Sequence, residues 1–213
     1  MKDHHNHTPK SPPSKDSTSS LPMTHSPLTL ILMRHGESPL RAPSDFERSL
    51  SERGCTQSDE TASSMIDHLT AHPRLALERA CVSEATRTQQ TWAIVKNRLT
   101  LAEHWRPQLA SIAFERSLDL YLASAHRWLE TLYAQAPSME GVDLNASPVR
   151  GVICVGHNPG LSELLEALTG QRHHLSVGEA FILSKEVDSR SPWLSAGVGH
   201  WSIEARCTPN SPI

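Results

Sequence analysis

The chain has 213 residues, a formal net charge of −3 and 38% hydrophobic residues, a length that suits one domain with tails. It holds no run of about 18 apolar residues, which excludes a membrane-spanning helix, and its first residues, MKDHHNHTPKSPPSKDSTSS, lack the apolar stretch of a secretory signal. Lys2, Lys10 and Lys15 against Asp3 and Asp16 give residues 1–27 a charge of +1, so the rest carries −4, with 15 Arg and 2 Lys; such an acidic body with no basic run is a poor nucleic-acid binder.

Residues 1–27 have only Met1, Leu21 and Met23 as apolar residues, and the composition predicts a disordered tail. His4, His5 and His7 read there as solvated groups rather than metal ligands. Leu28–Met33 (LTLILM) is apolar on both faces, as a fully buried parallel strand is, and it ends at Arg34-His35-Gly36. Ser38–Ser51 reads as a loop. Ser51–Ala71 reads as a helix with Ala62, Met65, Ile66 and Leu69 at helical spacing, stopped by Pro73. Arg79–Ser83 is a short strand, and Ser83 is expected to cap the helix Glu84–Leu99. Ala123–Ala134 is a further helix. Pro137–Pro148 is a polar connector.

Val149–Val155 (VRGVICV) is a second buried strand, ending at Gly156-His157. Asn158 as N-cap, Pro159 as first helical residue and Gly170 beyond the end bracket a helix Gly160–Thr169. Ala180–Val187 and His200–Cys207 read as later strands. Alternation of strands and helices predicts an α/β domain over 28–207, with a mostly parallel sheet flanked by helices, and a tail at 208–213. Cys55, Cys81, Cys154 and Cys207 form no C-x-x-C, which argues against disulfides and structural zinc and fits a reducing cytoplasm. Cys81 and Cys154 are expected to be inert core thiols, and Trp92, Trp128 and Trp201 packing residues.

Three segments carry chemistry: Leu32–Ser38 (LMRHGES), Val82–Thr91 (VSEATRTQQT) and Val155–Gly160 (VGHNPG). Each follows a strand, and in open α/β sheets ligands sit outside the carboxyl ends of the strands. If the two buried strands are neighbours, His35 and His157 share that edge. Arg34 and Arg87 can hold phosphate oxygens bidentately, and a helix N-terminus adds backbone donors. The pattern therefore predicts an oxyanion site. It contains no Walker lysine motif. His173-His174 lacks further ligands at a metal-binding spacing.

These motifs resemble those of the histidine phosphatase (phosphoglycerate-mutase-like) superfamily, and in a chain this short the SixA-type phosphohistidine phosphatases. R-H-G after the first strand is the signature. Asp45–Gly54 (DFERSLSERG) is similar to the D-x-x-R-P-L-x-x-x-G segment, with Ser49 in place of Pro, while Ser83, Arg87 and Thr91 match S-x-x-x-R-x-x-x-T. Gly156–Leu161 matches the G-H-x-P-x-L turn, and Leu120–Ser124 a weaker pattern. The resemblance runs from about Leu30 to Gly170.

The resemblance implies a single three-layer domain and a phosphatase that needs neither metal nor other cofactor. His35 would be the nucleophile and form a phosphohistidine intermediate. Arg34, Arg87 and His157 would bind the phosphoryl group, and water would release it. His35 must attack as the neutral ring, with a backbone acceptor fixing its tautomer. The flanking arginines would lower its pKa and a bound dianion would raise it. Arg48 reads as a loop salt-bridge partner.

Larger family members protonate the leaving group with a carboxyl from an inserted loop, which does not align here. Glu115, Asp119 and Glu37 are the nearest candidates, each also readable as an ordinary carboxylate. A phosphoramidate makes less demand on an acid than a phosphate monoester does, so the expected partner is a phosphorylated protein with a phosphohistidine domain, in cytoplasmic signal transduction. A small phosphorylated metabolite is the alternative substrate, and a non-catalytic phosphate or phosphoprotein binder the alternative class. A mutase fits less well, because Pro39-Leu40 stands where mutases often have Trp-Asn. No nucleic acid and no membrane is expected.

Overall fold

A computed structural model describes residues 25–71, 75–103, 105, 112–134, 149–188 and 197–210. Its elements are β1 (His25–Arg34), α1 (Glu52–Thr70), β2 (Leu75–Ser83), α2 (Thr86–Leu101), β3 (Ala113–Ser117), a 3-10 turn at Leu118–Leu120, α3 (Ala125–Ala134), β4 (Val149–Gly156), α4 (Gly160–Thr169), β5 (Ala180–Asp188) and β6 (Ser202–Cys207). One sheet takes them in the order β3-β2-β4-β1-β5-β6. The first four run parallel, and on one side β5 runs against them while β6, antiparallel to β5, runs with them.

The unbroken apolar run of β1 has its cause in this arrangement. Leu28, Leu30 and Leu32 pack on one face with Trp128 of α3 and with Leu161, Leu164 and Leu165 of α4. Ile31 and Met33 point to the other face, against Ala62 and Met65 of α1 and Val95 of α2. Helices cover both faces, so neither set can be polar. Each such side chain, fully buried, contributes about 2 kcal/mol. The result is the expected α/β sandwich of three layers, with β1 and β4 adjacent and in register from Leu28↔Arg150 to Arg34↔Gly156.

Several boundaries differ from the sequence reading. β1 starts at His25, inside the expected tail, because residues 25–27 extend the backbone ladder with β5 while β4 pairs only from Leu28. A one-sided ladder tolerates Pro27, which has no N–H to donate. β2 starts at Leu75, α3 at Ala125 and β6 at Ser202. Strand β3 and the 3-10 turn were not anticipated. Residues 1–24, the connector Pro137–Pro148 and residues 211–213 lie outside the described residues.

Two expected caps are corrected. The cap of α2 is Ala85, with no side-chain bond, because the Ser83 hydroxyl is engaged by His157 instead. The cap of α4 is Pro159 rather than Asn158. Asn158 is spent across the loop, where its Nδ2 donates to Leu175 O at 2.7 Å and its Oδ1 accepts from Ser162 Oγ at 3.0 Å. Gly170 does close α4, at φ 72°. Ser51 caps α1 by accepting from Gly54 N at 3.0 Å.

The turn after β1 is wedged against the start of α1. A Cβ on Gly36 would lie 2.2 Å from Gly54 O, and one on Gly54 would lie 2.1 Å from Glu37 O. Both are backbone contacts that cannot give way, so the two glycines set how closely α1 approaches His35. The four cysteines are free, and Cys81, Cys154 and Cys207 are buried.

Candidate active site

The sheet gathers Arg34, His35, Arg87 and His157 at one edge. β1 delivers Arg34 and His35, and the ladder continues past the strand, with His35 N donating to Gly156 O at 3.2 Å. β4 delivers His157, whose ring centroid is 5.1 Å from that of His35. β2 and the first turn of α2 deliver Arg87, whose Nε donates to His35 Nε2 at 3.2 Å. His35, Arg87 and His157 are buried.

His35 Nδ1 lies 2.7 Å from Gly36 O. A carbonyl only accepts, so Nδ1 carries the proton and Nε2 keeps its lone pair. Burial pushes the His35 pKa down to about 4; the Gly36 carbonyl opposes this, and the charges of Arg87, Arg34 and Arg48 add to the fall. Desolvation, not the arginines, is the largest cause. His157 is pushed further, to about 2, by burial first and then by His35 and Arg87. Both rings are neutral at pH 7. Arg34 donates from Nη1 to Leu175 O at 3.0 Å. Its buried Nε has no hydrogen-bond partner among the described residues.

The buried neutral rings make stability depend on pH. Between pH 6.5 and about 4 an unfolded imidazole binds a proton that folded His35 refuses, so the native state loses stability as pH falls through that window. For His35 this amounts to about 3 kcal/mol, and His157 acts in the same direction. Urea unfolding midpoints from pH 7 to pH 4 are expected to fall more steeply in the wild type than in His35→Gln. Parallel curves for the two would contradict the assignment.

Two groups at the site carried no predicted role. Asp45 lies over Arg87: its backbone O accepts from Nη1 at 2.5 Å and its Oδ2 from Nη2 at 3.0 Å. Tyr121 OH donates to the same Oδ2 at 2.5 Å, and Arg48 pairs with Oδ1 at 2.9 Å, the loop salt bridge expected of it. Tyr121 first and Arg87 second hold the Asp45 carboxyl below its ordinary pKa. The Tyr121 ring stands perpendicular to His157, with centroids 5.5 Å apart, and the Arg87 guanidinium sits 5.9 Å from its centroid. The motifs D-x-x-R and L-Y-L contained both residues, but no sequence rule brings positions 45, 87 and 121 together.

The three candidate acids lie apart from this cluster's hydrogen bonds. Glu37 Oε1 accepts from Ser51 Oγ at 2.8 Å and its Oε2 faces Arg53 at 3.7 Å. Glu115 Oε2 is 3.8 Å from Cys81 Sγ, and Asp119 belongs to the 3-10 turn, its N–H donating to Ser117 Oγ at 3.2 Å. Among the described residues no group of three or more His, Cys, Asp or Glu could hold a metal ion. His173 instead approaches Gln171 Oε1 at 3.3 Å. His4, His5 and His7 lie outside the described residues. No described helix is long and apolar enough to cross a membrane.

This fold is that of the histidine-phosphatase (phosphoglycerate-mutase-like) superfamily, in its SixA-type form. A structure assigned as phosphohistidine phosphatase SixA from Nakamurella multipartitia superposes with a TM-score of 0.62 at 20% identity, over 87% of this chain and 98% of that one. A protein histidine phosphatase SixA complexed with tungstate gives 0.61 at 22% identity, over 85% and 97%. In sequence, the chain is 26% identical over 160 residues to the phosphohistidine phosphatase SixA homolog of Haemophilus influenzae, 73% of this chain and 85% of that protein. It is 27% identical over 199 residues to an uncharacterized chloroplastic protein of Arabidopsis thaliana, 90% and 83% of the two. No family model matches the chain.

Proposed function

We propose that the protein is a phosphatase that works through a covalent phosphohistidine intermediate on His35, with phosphohistidine in a protein as its substrate. The observation that carries this reading is the state of His35: a buried, neutral imidazole whose Nδ1 proton is tied to Gly36 O. Its Nε2 lone pair lies beside Arg87, and the Arg34 charge acts on the ring.

In the first step Nε2 of His35 attacks phosphorus, and the bond from phosphorus to the leaving group breaks. The leaving group departs with that electron pair. The hydrogen bond of the Arg87 Nε–H shifts from Nε2 to a phosphoryl oxygen as Nε2 becomes bonded to phosphorus. Arg34 and His157 donate to the remaining oxygens. In the second step water attacks phosphorus, His35 leaves as the neutral ring, and inorganic phosphate is released. Donors already held at the site supply the charge stabilisation, so the chemistry as written calls on protein groups alone.

The choice of phosphohistidine over a monoester rests on the carboxylates placed near the site among the described residues. Asp45 is the carboxylate engaged with Arg87, and the Tyr121 and Arg87 donors together with the Arg48 charge favour its ionised form. It accepts hydrogen bonds and has no proton to give. An alkoxide leaving group would depart unprotonated, whereas an imidazole leaving group takes up its own proton before departure. The homologues assigned as SixA phosphatases support the same substrate class.

The test combines labelling with a substrate panel. Brief exposure to a ³²P phospho-donor is expected to label the wild type with an acid-labile, base-stable adduct. Phosphohistidine protein is expected to turn over faster than sugar phosphates. Faster turnover of the monoesters would transfer the activity to small metabolites, and no labelling or turnover with any donor would make the protein a phosphate binder.

A further inference from the structure

Among the described residues, the ring of His157 has one hydrogen-bonding neighbour that bears on its tautomer, Ser83. Ser83 ends β2, is fully buried, and has its Oγ 2.8 Å from His157 Nε2. Its backbone carbonyl accepts from Thr88 Oγ1 at 2.8 Å and from Gln89 Nε2 at 2.6 Å, which pins the residue on α2. His157 is likewise almost fully buried, and its Nδ1 has no hydrogen-bond partner among the described residues.

We infer that Ser83 is a positioning residue, whose hydroxyl donates to Nε2 of His157, places the ring proton on Nδ1, and so aims an otherwise unpaired N–H at the oxygen of an incoming phosphoryl group. The donor count decides the direction of the bond. Ser83 Oγ has two partners among the described residues, the Ala85 amide at 3.5 Å and His157 Nε2. The amide can only donate, so Nε2 is the sole acceptor for the hydroxyl proton. If Nε2 carried the ring proton, two donors would meet on Oγ. The hydroxyl proton would then be buried without an acceptor, which costs about 1–3 kcal/mol. Nδ1 would in addition face an anion with a lone pair.

With the hydroxyl donating, one buried group is left unpaired, the Nδ1–H, and a phosphoryl oxygen satisfies it. The ring is neutral at pH 7, so it has one proton to place and the tautomer decides whether it can donate at all. His157 would touch the phosphoryl group; Ser83 would not, and acts through the ring. The functional consequence rests on the phosphatase reading above, but the tautomer does not.

The test is ¹⁵N NMR of the histidine-labelled full chain at pH 7, with His157 assigned by the signal lost in His157→Gln. The wild type is expected to show the Nδ1–H tautomer. Ser83→Ala is expected to move it toward Nε2–H and to weaken tungstate binding about tenfold. In turnover, kcat is expected to fall by a similar factor with KM little changed, and Ser83→Thr, which keeps a hydroxyl, is expected to restore both. An Nε2–H signal in the wild type overturns the inference whatever the variants do, and needs no variant to fold. So does a tautomer unmoved in a folded Ser83→Ala. An Nδ1–H signal that shifts in Ser83→Ala supports it even if no phosphoenzyme forms, a result that would reject the phosphatase reading alone.

Discussion

His35→Ala is expected to eliminate the ³²P adduct and to lower turnover by on the order of 10⁴-fold or more, the scale seen when a covalent nucleophile is removed. In barrier terms that is about 5 kcal/mol. The neighbouring donors should survive the change. Arg34 remains held by Leu175 O, Arg87 by Asp45, and His157 by Ser83. The variant should therefore still bind tungstate by calorimetry, with affinity within about tenfold of the wild type, the range of one lost hydrogen bond. Removing a neutral ring also removes the desolvation that lowers its pKa, so the variant should be less sensitive to acid. Turnover within tenfold of the wild type, with tungstate binding intact, would show that the attacking atom is not on His35.

The parts of the fold that were legible are those where one physical demand acts along the chain. β1 and β4 are covered on both faces, so LTLILM and VRGVICV had to be apolar throughout, and their ends marked the sheet edge where Arg34, His35, Arg87 and His157 meet. Arg34, His35 and His157 follow from that directly, being the residues next beyond each run. Arg87 needed only the step from a strand into a helix. β3 was not legible because it is the outer strand, with Ala113, Phe114 and Arg116 exposed, and an exposed edge imposes no alternation. Asp45 and Tyr121 lie 76 positions apart, and their contact at 2.5 Å depends on how the 38–51 loop folds back over α2. Ser83 was assigned to the wrong partner for an instructive reason. A serine ahead of a helix is normally its cap, but here the hydroxyl sits 2.8 Å from a buried histidine across the sheet, while the Ala85 amide reaches it only at 3.5 Å.

Arg87→Ala is the second substitution expected to cost activity by orders of magnitude. Arg87 is 1% exposed and serves three acceptors at once: His35 Nε2, Asp45 O and Asp45 Oδ2. Its fork thus already serves protein acceptors, and a phosphoryl group must share it or displace the Asp45 carboxylate. Deletion removes the cation nearest the nucleophile just as negative charge builds on the phosphoryl oxygens. Losses of about 10³-fold or more in kcat are typical for an arginine in this role. Arg87→Lys should recover little, since an ammonium is a point charge that cannot span the same acceptors. The loss carries a distinguishing mark in pH. Arg87 is the largest of the three charges that lower the His35 pKa, so without it the pKa rises, while burial still holds it below its ordinary value. The acid limb of kcat/KM should then move to higher pH in Arg87→Ala. An activity loss with the acid limb unmoved would mean that Arg87 shapes the pocket without acting electrostatically on His35.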